Sequence, residues 1–393
     1  MNIKILLFFI PLLLQACSFG QASEKERHAL DFNSILEEVT QRSIDYLAKM
    51  EIDSTQIPRS IKKNGLPLGT VSKSWTSGFY PGMLWQLYGF SKETKLEKAA
   101  SNWMQFVEKE KEDKTTHDLG FKVYCSFGNA YKIMPNEDYK EVILKAAETL
   151  SKRYNPQVGA IRSWDFNKDI WEFPVIIDNM MNLELLFEAT KLSGDSSFAY
   201  IARTHAHTTL KNHIREDYSS YHVVDYDTLT GEVNENYTHQ GYSRESSWAR
   251  GQAWNLYGFA MAYRESRDEA FLKQAISVAD FIFSHPNLPQ NGIPFWDFDA
   301  PKIPNEPLDA SAAAIIACGL LILCEEDGIL KEKYLARVDK ILQTLSSDDF
   351  KSTIPPFLLN HSVGSVPGDF EIDVPLIYAD YYYVEALVKR VQI

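Results

Sequence analysis

The chain has 393 residues and a formal net charge of −13, with 45% hydrophobic and 13% aromatic residues. The hydrophobic content is enough for a large core, whereas the acidic balance and the lack of Lys- or Arg-rich runs argue against nucleic acid as a partner. A long polyanion would also be repelled, although a few local Arg and His residues can still hold a small anionic ligand.

The first residues predict export rather than a folded element. Lys4 supplies a positive charge, residues 5–14 are apolar, and the stretch ends in Leu14-Gln15-Ala16-Cys17. This ending resembles a bacterial lipobox, in which the cysteine becomes the lipidated first residue; an ordinary signal peptide with a chance cysteine is the alternative. The apolar run is too short to span a bilayer. We predict a signal peptide over residues 1–16, lipidation at Cys17 and a polar tether over 17–33. The lipid alone would anchor the chain in the cell envelope, in the periplasm or at the outer membrane.

Helical patterns of two kinds alternate along the rest of the chain. The first kind starts at a polar or acidic residue and is apolar on both faces, which predicts burial all round. These segments are Thr76–Gly89, Asp118–Ile133, Asp178–Leu192, Ser247–Tyr263, Asp309–Leu323 and Asp373–Val388. The second kind is amphipathic, and its segments are Ser34–Met50, Lys92–Lys111, Asp138–Arg153, Ser196–Ile214, Asp268–Ser284 and Lys331–Leu345. Six such hairpins predict an all-α (α/α)6 toroid, with the apolar helices inside, as a single domain over residues 34–393. An open solenoid is the alternative, but its terminal capping helices are not evident.

The connections that lead into the apolar segments are long and aromatic, and long loops usually carry function. One of them predicts a β-hairpin that starts with Tyr221–Asp227, before the turn Leu229-Thr230-Gly231. In a toroid these loops share one face with the starts of the inner helices, so we expect the functional site at that face.

Asp178 follows the apolar run Val175-Ile176-Ile177 and stands at the start of a helical pattern. A carboxylate at a helix start is commonly an N-cap, because the first backbone N–H groups lack partners. A cap does not need the aromatic and amide residues found near Asp178, which are Trp164, Trp171, Phe173, Asn179 and Asn182. This setting makes Asp178 a candidate functional residue.

Two earlier inner segments also start with unusual residues. Trp75 precedes a segment with Gly78 and Gly82 in its first turns, which indicates either tight helix packing or the close approach of a ligand. His117 and Asp118 stand together at the next start, either as a cap with a solvated neighbour or as a functional pair.

A charge stands in the apolar first turn of the fourth inner segment. Arg250 follows Ser247-Trp248-Ala249, where an unpaired charge is costly, so it needs an anion from the protein or from a ligand. Trp254 lies four residues later on the same helix face. The stretch His239-Gln240-Gly241-Tyr242 comes shortly before.

The sequence indicates neither a metal nor an organic cofactor, since it contains no His-x-x-x-His or Cys-x-x-Cys spacing. After Cys17, the cysteines are Cys125, Cys318 and Cys324, all in apolar helical patterns. We interpret these three as small core residues rather than as a disulfide framework.

Taken together, the motifs resemble glycoside hydrolase family 88, the unsaturated glucuronyl hydrolases. They are SWTSGFYPG, HDLGF, IIDNMMNLELL, HQGY, SSWARGQAWNLYG and DVPLIYADYYYVEAL, in this order from about Trp75 to Leu387. The combination of WARGQAW, HDLGF and IDNMMN is specific, and the family has the (α/α)6 fold that the helix pattern predicts. Family 105, the unsaturated rhamnogalacturonyl hydrolases, shares fold and chemistry, but the Gln-Ala after Arg250-Gly251 favours family 88.

The resemblance implies roles by position. Asp178 matches the general acid/base, and Asp118 matches a second essential aspartate that binds the sugar and tunes its partner. The residues that match the lining of the terminal-sugar subsite are Trp75, His117, His222, Gln240, Arg250 and Trp254. The stretch Asn360–Gly368 matches a loop that varies with substrate sulfation.

The implied substrate is an unsaturated uronic-acid oligosaccharide, the product of a polysaccharide lyase. Its terminal uronate carries a C4=C5 enol ether, which needs a proton at C4 and water at C5. One carboxyl group can act first as the acid and then as the base. A carboxylate at Asp118 would repel negative charge on Asp178 and raise the pKa of Asp178, which keeps an acid available near neutral pH.

Two other functions remain open from the residues alone. A non-catalytic glycan-binding lipoprotein would need the aromatic residues, but not two aspartates at inner-helix starts. A sugar epimerase on the same toroid would use paired histidines, and no matching pair stands at those starts. Fragments of chondroitin, hyaluronan, heparin-type chains, ulvan and gellan are all compatible with the sequence, and we expect a monomer or a weak homodimer.

Overall fold

Helices make up the framework of the computed structural model, which describes residues 31–393. The predicted signal peptide, the lipidation site Cys17 and most of the predicted tether lie outside the described residues. The first helix begins at Phe32, slightly before the predicted domain start, and residues 32–393 form one compact unit. Within residues 31–393, no helix combines the length and the apolar character needed to cross a membrane.

Twelve α-helices occur within residues 31–393. They are α1 (Phe32–Leu47), α2 (Phe79–Ser91), α3 (Thr94–Met104), α4 (Asn129–Ile133), α5 (Glu137–Ser151), α6 (Leu183–Ser193), α7 (Ser196–Asn212), α8 (Ala249–Ser266), α9 (Glu269–Ser284), α10 (Ala310–Glu326), α11 (Gly328–Leu345) and α12 (Ile377–Arg390). A π-helix (Gly120–Gly128) leads into α4, a 3-10 helix (Ile177–Asn182) leads into α6, and a 3-10 helix (Glu108–Glu112) follows α3.

The predicted apolar segments form a closed inner ring. Helix α2 packs against the π-helix, and the π-helix packs against α6. The 3-10 helix before α6 packs against α8, α8 against α10, and α10 against α12. Because α12 returns to pack against α2, the ring closes between its last and first members. The fold is therefore the predicted (α/α)6 toroid and not an open solenoid.

Composition explains which helices lie inside. Helix α10 is rich in alanine, and every residue from Ala310 to Cys324 is buried. Helix α11, which packs against it, buries only one face, with Tyr334, Val338 and Ile341 among the buried residues. The three cysteines of the described chain, Cys125, Cys318 and Cys324, are buried and free, which confirms that they are core residues.

Side-chain caps are more common in the outer ring, although Asp309 caps the inner helix α10 and the outer helix α3 has no side-chain cap. The outer helices α5, α7, α9 and α11 each begin with a side chain that accepts a backbone N–H bond; these residues are Asn136, Asp195, Asp268 and Asp327. The inner helices α2, α8 and α12 have no side-chain cap. The first N–H groups of α2 and α8 are bonded instead to backbone carbonyls, Phe79 to Thr76 and Ala249 to Trp296.

The second inner segment begins as a π-helix rather than as the predicted α-helix. A Cβ atom at Gly78 would lie 2.1 Å from the Lys122 carbonyl oxygen, and one at Gly82 would lie 2.1 Å from the Cys125 carbonyl oxygen. Both glycines thus let α2 pack tightly on the π-helix backbone, and close approach of a ligand does not explain them. Residue periodicity does not reveal a π register, because it records buried faces and not hydrogen-bond partners.

The last inner helix begins at Ile377 and not at the predicted Asp373. Asp373 and Val374 belong instead to a β-strand. The reason is Pro375, because a residue before proline disfavours the α-helical region.

Short antiparallel strands lie in the loops before the inner helices. They are β1 (Ile57–Ile61), β2 (Pro67–Thr70), β3 (Tyr154–Asn155), β4 (Ala160–Ile161), β5 (Pro174–Ile176), β6 (Val223–Tyr226), β7 (Val233–Tyr237), β8 (Ser362–Ser365) and β9 (Phe370–Val374). The sheets are β1–β2, β3–β4, β5–β6–β7 and β8–β9, with Val224 opposite Val175 in the third. The β6–β7 pair, whose connection contains Gly231 at φ +75°, confirms the predicted hairpin.

Candidate active site

A pocket of about 130 Å³ lies at the end of the toroid where the inner helices begin. Its lining is Arg59, Trp75, His117, Asp118, Phe121, Trp164, Ile176, Asp178, Gln240, Arg250, Gly364, Phe370, Glu371 and Tyr378. Six of the predicted binding and catalytic residues are in this lining. The other two, His222 and Trp254, are buried behind it. Trp254 lies one turn deeper along α8 than Arg250, and the backbone of His222 is bonded to Ile177 at the start of the 3-10 helix.

A second cavity, of about 200 Å³, lies between the far ends of the inner helices. Its lining contains two carboxylates, and both have hydrogen-bond partners in the protein. Glu184 is bonded by Arg264 at 2.9 Å and contacted by Lys132 at 3.5 Å, while the Tyr257 hydroxyl donates to Glu385 at 2.7 Å. None of the predicted catalytic and binding residues lies in the lining of this cavity, so we place the candidate active site in the first pocket.

Asp178 is the second residue of the 3-10 helix that follows β5. Ile176 holds the N-cap position and no side-chain cap bond forms there, so the N-cap interpretation of Asp178 is wrong. Within residues 31–393, the buried Oδ2 atom of Asp178 has no hydrogen-bond partner. Burial raises the pKa of Asp178 to about 7 against the opposing charge of Arg250, and Asp118 adds a smaller rise. Asp118 therefore raises the pKa of Asp178, as expected from the sequence, but burial is the main cause of the rise.

His222 presents an N–H group to Asp178. The backbone N–H of Gln240 donates to Nδ1 of His222 at 3.1 Å, so in the neutral ring the proton must be on Nε2. Nε2 lies 3.6 Å from Oδ2 of Asp178, which is longer than a hydrogen bond. Burial holds the pKa of His222 well below its usual value, so the ring stays neutral. It therefore directs a dipole, and not a full charge, at the carboxyl group.

His117 has the opposite tautomer. Its Nδ1 lies 3.0 Å from the Ser163 carbonyl oxygen, which can only accept, so Nδ1 carries a proton. Nε2 lies 3.2 Å from Oδ1 of Asp118, while the Thr116 hydroxyl donates to Oδ2 of Asp118 at 2.6 Å. Burial lowers the pKa of His117, and the charge of Asp118 opposes this. Within residues 31–393, Nε2 of His117 therefore has no hydrogen-bond partner, and the hydroxyl of Thr116 holds the Asp118 carboxylate beside it.

Arg250 is held mainly by the protein. Its Nη1 lies 3.2 Å from Oδ2 of the fully buried Asp309 and also donates to the Val363 carbonyl, while Nη2 donates to the Gly364 carbonyl at 2.7 Å. Its guanidinium lies over the ring of Trp248 at 4.6 Å. The anion expected from the sequence is therefore Asp309, and the guanidinium still faces the pocket in a fixed orientation.

Aromatic side chains form one wall of the pocket. The ring of Trp75 lies 5.5 Å from that of Phe121 and 4.9 Å from that of Tyr378. Trp254 supports this wall from behind, with its ring 5.4 Å from that of Phe121. On another side, Trp164 lines the pocket. Such faces suit the apolar faces of sugar rings.

Sequence reasoning missed one ion pair in the lining. Nε of Arg59 lies 2.6 Å from Oε1 of Glu371, and Nη2 lies 3.2 Å from Oε2, which is a bidentate pair. Arg59 is in β1 and Glu371 is in β9, far apart in the chain. Neither residue stands in a helical repeat, and neither carried a signal in the sequence. The role of Asp309 as the partner of Arg250 was missed too, although its position at an inner-helix start was noted.

Residues 44–387 match the family model described as Glycosyl Hydrolase Family 88. The chain is 46% identical over 375 residues to an unsaturated glucuronyl hydrolase of Formosa agariphila, covering 94% of this chain and 92% of the relative. It is 33% identical over 325 residues to an unsaturated chondroitin disaccharide hydrolase of Streptococcus pneumoniae, covering 80% of this chain and 81% of the relative. Among solved structures, an unsaturated glucuronyl hydrolase specific for heparin superimposes with a TM-score of 0.87 and 44% identity, covering 92% of this chain and 98% of that chain.

Proposed function

The chain belongs to glycoside hydrolase family 88, and on this basis we propose that it is a hydrolase of lyase-generated oligosaccharides. It removes the 4,5-unsaturated uronic acid from their non-reducing end. The relatives named above are hydrolases of unsaturated glucuronyl compounds and of unsaturated chondroitin disaccharides, which supports this substrate class. The family match and these relatives do not favour the family 105 alternative.

The observation that carries the proposal is the buried carboxyl group of Asp178. With a pKa raised to about 7 by burial, it can hold a proton near neutral pH and deliver it to C4 of the enol ether. A protein that only binds glycans has no use for a buried carboxyl group whose Oδ2 atom has no hydrogen-bond partner within residues 31–393, because such burial is costly.

Proton transfer to C4 leaves positive charge on C5 and the ring oxygen, which nearby carboxylates stabilise. The ionised Asp178 then takes a proton from the water that attacks C5. The product is a hemiketal at C5; the ring opens, and the aglycone leaves as its bond to C1 breaks. The anomeric carbon is not attacked, so the usual rule that relates carboxylate separation to retention or inversion does not apply.

The other predicted residues bind and orient the substrate in this proposal. Arg250 takes the substrate carboxylate, because its planar fork is already fixed by backbone carbonyls and faces the pocket. Trp75 provides an aromatic face for the sugar ring, and Gln240 and Asp118 bind its hydroxyls. His222 and Trp254 act from behind: His222 directs its Nε2–H dipole at the carboxyl group of Asp178, and Trp254 supports the aromatic wall.

A panel of oligosaccharides tests the function. Heparin-type unsaturated disaccharides come first, because the relative specific for heparin is 44% identical, and chondroitin and hyaluronan disaccharides follow. We expect loss of the enol ultraviolet absorbance for at least one of them, and no cleavage of the saturated counterparts. A folded protein that leaves the absorbance of the whole panel unchanged would refute the proposal.

We also propose that the mature chain is a lipoprotein of the cell envelope, anchored at Cys17 as a monomer or weak homodimer. The ending Leu14-Gln15-Ala16-Cys17 supports the anchor. Cys17→Ala should move the protein from the membrane fraction to the soluble fraction. A wild-type chain that is itself soluble and carries no lipid would contradict the anchor.

A further inference from the structure

A basic cleft adjoins the active-site pocket and has no part in the mechanism above. Its volume is about 480 Å³, enough for a sugar residue, and it is formed by Lys114, Lys152, Arg153, Tyr154, Arg162 and Phe173. It lies in the loops that lead into the second and third inner segments. The cleft therefore opens on the same face of the toroid as the active site.

The charge of this cleft is opposite to that of the whole chain, which carries a net charge of −13. Arg153 is neutralised by Asp165, since its Nη1 and Nη2 atoms lie 2.8 and 3.0 Å from the two carboxylate oxygens. Lys114 and Lys152 are exposed, and neither ammonium group forms an ion pair with any residue in the described range 31–393. An anion is therefore attracted to this part of the surface.

Arg162 offers a planar hydrogen-bonding fork beside an aromatic ring. Its Nε donates to the Trp164 carbonyl at 2.9 Å and lies 3.3 Å from Oδ1 of Asp165, which it shares with Arg153. Its guanidinium carbon lies 6.0 Å from the centre of the Phe173 ring. Its two terminal nitrogens have no hydrogen-bond partner among the residues that the structure describes. A sulfate or carboxylate group can therefore bind to two of its N–H groups at once.

One stretch of chain separates the cleft from the active-site pocket. The Ser163 carbonyl oxygen accepts from Nδ1 of His117 on the pocket side at 3.0 Å and from Nη2 of Arg153 on the cleft side at 3.2 Å. The side chain of Trp164 lines the pocket, while its carbonyl oxygen holds Arg162 in the cleft. A sugar chain that leaves the pocket on this side passes directly over the cleft.

We propose that the basic cleft binds a sulfate or carboxylate group on a sugar nearer the reducing end of the substrate. The chain would then favour anionic oligosaccharides longer than a disaccharide. This inference rests on the proposed function, which supplies the orientation of the sugar chain.

The test is the double variant Lys114→Gln/Lys152→Gln. Its matched control is Lys95→Gln/Lys98→Gln, which removes two exposed charges at the start of α3, on the opposite face of the toroid. The substrates are an unsaturated disaccharide, a sulfated unsaturated tetrasaccharide and its desulfated form. We expect KM for the sulfated tetrasaccharide to rise about fivefold at low salt, with kcat unchanged and no effect on the disaccharide. The control pair should leave all three substrates unaffected.

The desulfated tetrasaccharide identifies the bound group. If KM rises only for the sulfated form, the cleft binds sulfate; if it rises equally for both tetrasaccharides, the cleft binds carboxylate. Equal changes for disaccharide and tetrasaccharides, or no change at all, would overturn the inference.

Binding measurements separate this inference from the proposed function. Calorimetry with the sulfated tetrasaccharide needs no turnover and can use chains that carry Asp178→Asn, with and without the lysine substitutions. If the wild type cleaves no substrate while the lysine substitutions still weaken tetrasaccharide binding, that result would support binding at the cleft and refute the proposed function. Equal affinities of the chains with and without the lysine substitutions would refute anion binding at the cleft, whatever the activity of the wild type.

Discussion

Asp178 and Glu184 lie on one inner segment of the toroid, and each faces a cavity at an opposite end. Their side chains are similarly shielded, with 15% and 18% exposed. Burial raises the pKa of Asp178 to about 7, whereas the cations around Glu184 overcome burial and lower its pKa to about 2. Burial alone therefore does not decide the protonation state; the position of the nearest cation does.

Arg250 makes the difference clear. Glu184 receives one direct bond from the guanidinium of Arg264, but Arg250, the cation near Asp178, is bonded to Asp309 and to two backbone carbonyls. The fold thus keeps a cation in the active-site pocket without placing it on the acid. A substrate carboxylate can approach this cation while Asp178 keeps its proton.

The largest expected effect is that of Asp178→Asn. Loss of the proton donor should lower kcat by about 10³-fold, in the range of general acid catalysis, while the unsaturated oligosaccharide still binds. Glu184→Gln at the other end should leave kcat within about threefold of wild type, because no reacting group is removed. Steady-state turnover of the two variants checks this, and similar losses in both would remove the distinction between the two ends.

The next largest effect should be a loss of stability in Glu184→Gln. Removing the charge of Glu184 leaves Lys132 without its anion and Arg264 with Glu265 alone, and in this part-buried group it should cost about 2 kcal/mol at pH 7. The pKa of Glu184 is lowered to about 2. Its contribution to stability is therefore fully present above the ordinary pKa of a glutamate and is lost as the pH falls toward 2. Denaturant unfolding at several pH values measures it, with the exposed Glu137→Gln as control.

Asp178→Asn should show the opposite pH dependence in the same unfolding experiment. A carboxyl group whose pKa is raised to about 7 stabilises the fold while protonated, and this stability is lost as the pH rises toward 7. The Asn variant should therefore gain stability relative to wild type between about pH 4 and pH 7. A constant difference across this range would show that Asp178 is already ionised in the folded protein.

Arg250→Lys should have a smaller effect on turnover. A lysine cannot bond Asp309, two carbonyls and a substrate carboxylate at once, so kcat/KM should fall about 10- to 100-fold. Arg267→Lys, in an exposed pair with Glu326, is the control and should be neutral. Wild-type kinetics for Arg250→Lys would place the substrate carboxylate elsewhere.

Asp309→Asn should give the smallest effect on turnover, a shift in its pH profile. The amide oxygen can still cap α10, but Arg250 loses its counter-charge and favours the ionised form of Asp178 more strongly. The pKa of Asp178 should fall, and activity should decline at a pH lower by about half a unit. If the activity declines at the same alkaline pH as in the wild type, Asp309 does not influence the pKa of Asp178.

Much of the fold could be predicted from the sequence because burial follows residue type. The two-sided apolar pattern of Ser247–Tyr263 becomes the inner helix α8, and the capped amphipathic pattern of Asp268–Ser284 becomes the outer helix α9. The π-helix after Asp118 could not be predicted, because the side-chain pattern does not reveal which carbonyl accepts each N–H bond. Within the site, short motifs identified most of the lining.

Contacts between distant parts of the chain explain the other omissions. Arg59 and Glu371 meet only because the ring closes, and neither stands in a local pattern that marks it. The pairing of Arg250 with Asp309 likewise depends on the packing of α8 against α10. The raised pKa of Asp178 follows from this packing, since its cause is burial among groups that leave Oδ2 unpaired.

Turnover in heavy water tests the central claim most directly. If Asp178 exchanges with solvent and delivers its proton to C4 of the unsaturated sugar, the released keto-sugar should carry deuterium at C4, as seen by mass spectrometry and NMR. A saturated glucuronide, which has no double bond to protonate, should stay intact under the same conditions. A product without deuterium at C4, or rapid cleavage of the saturated glucuronide, would contradict hydration of the double bond by this acid.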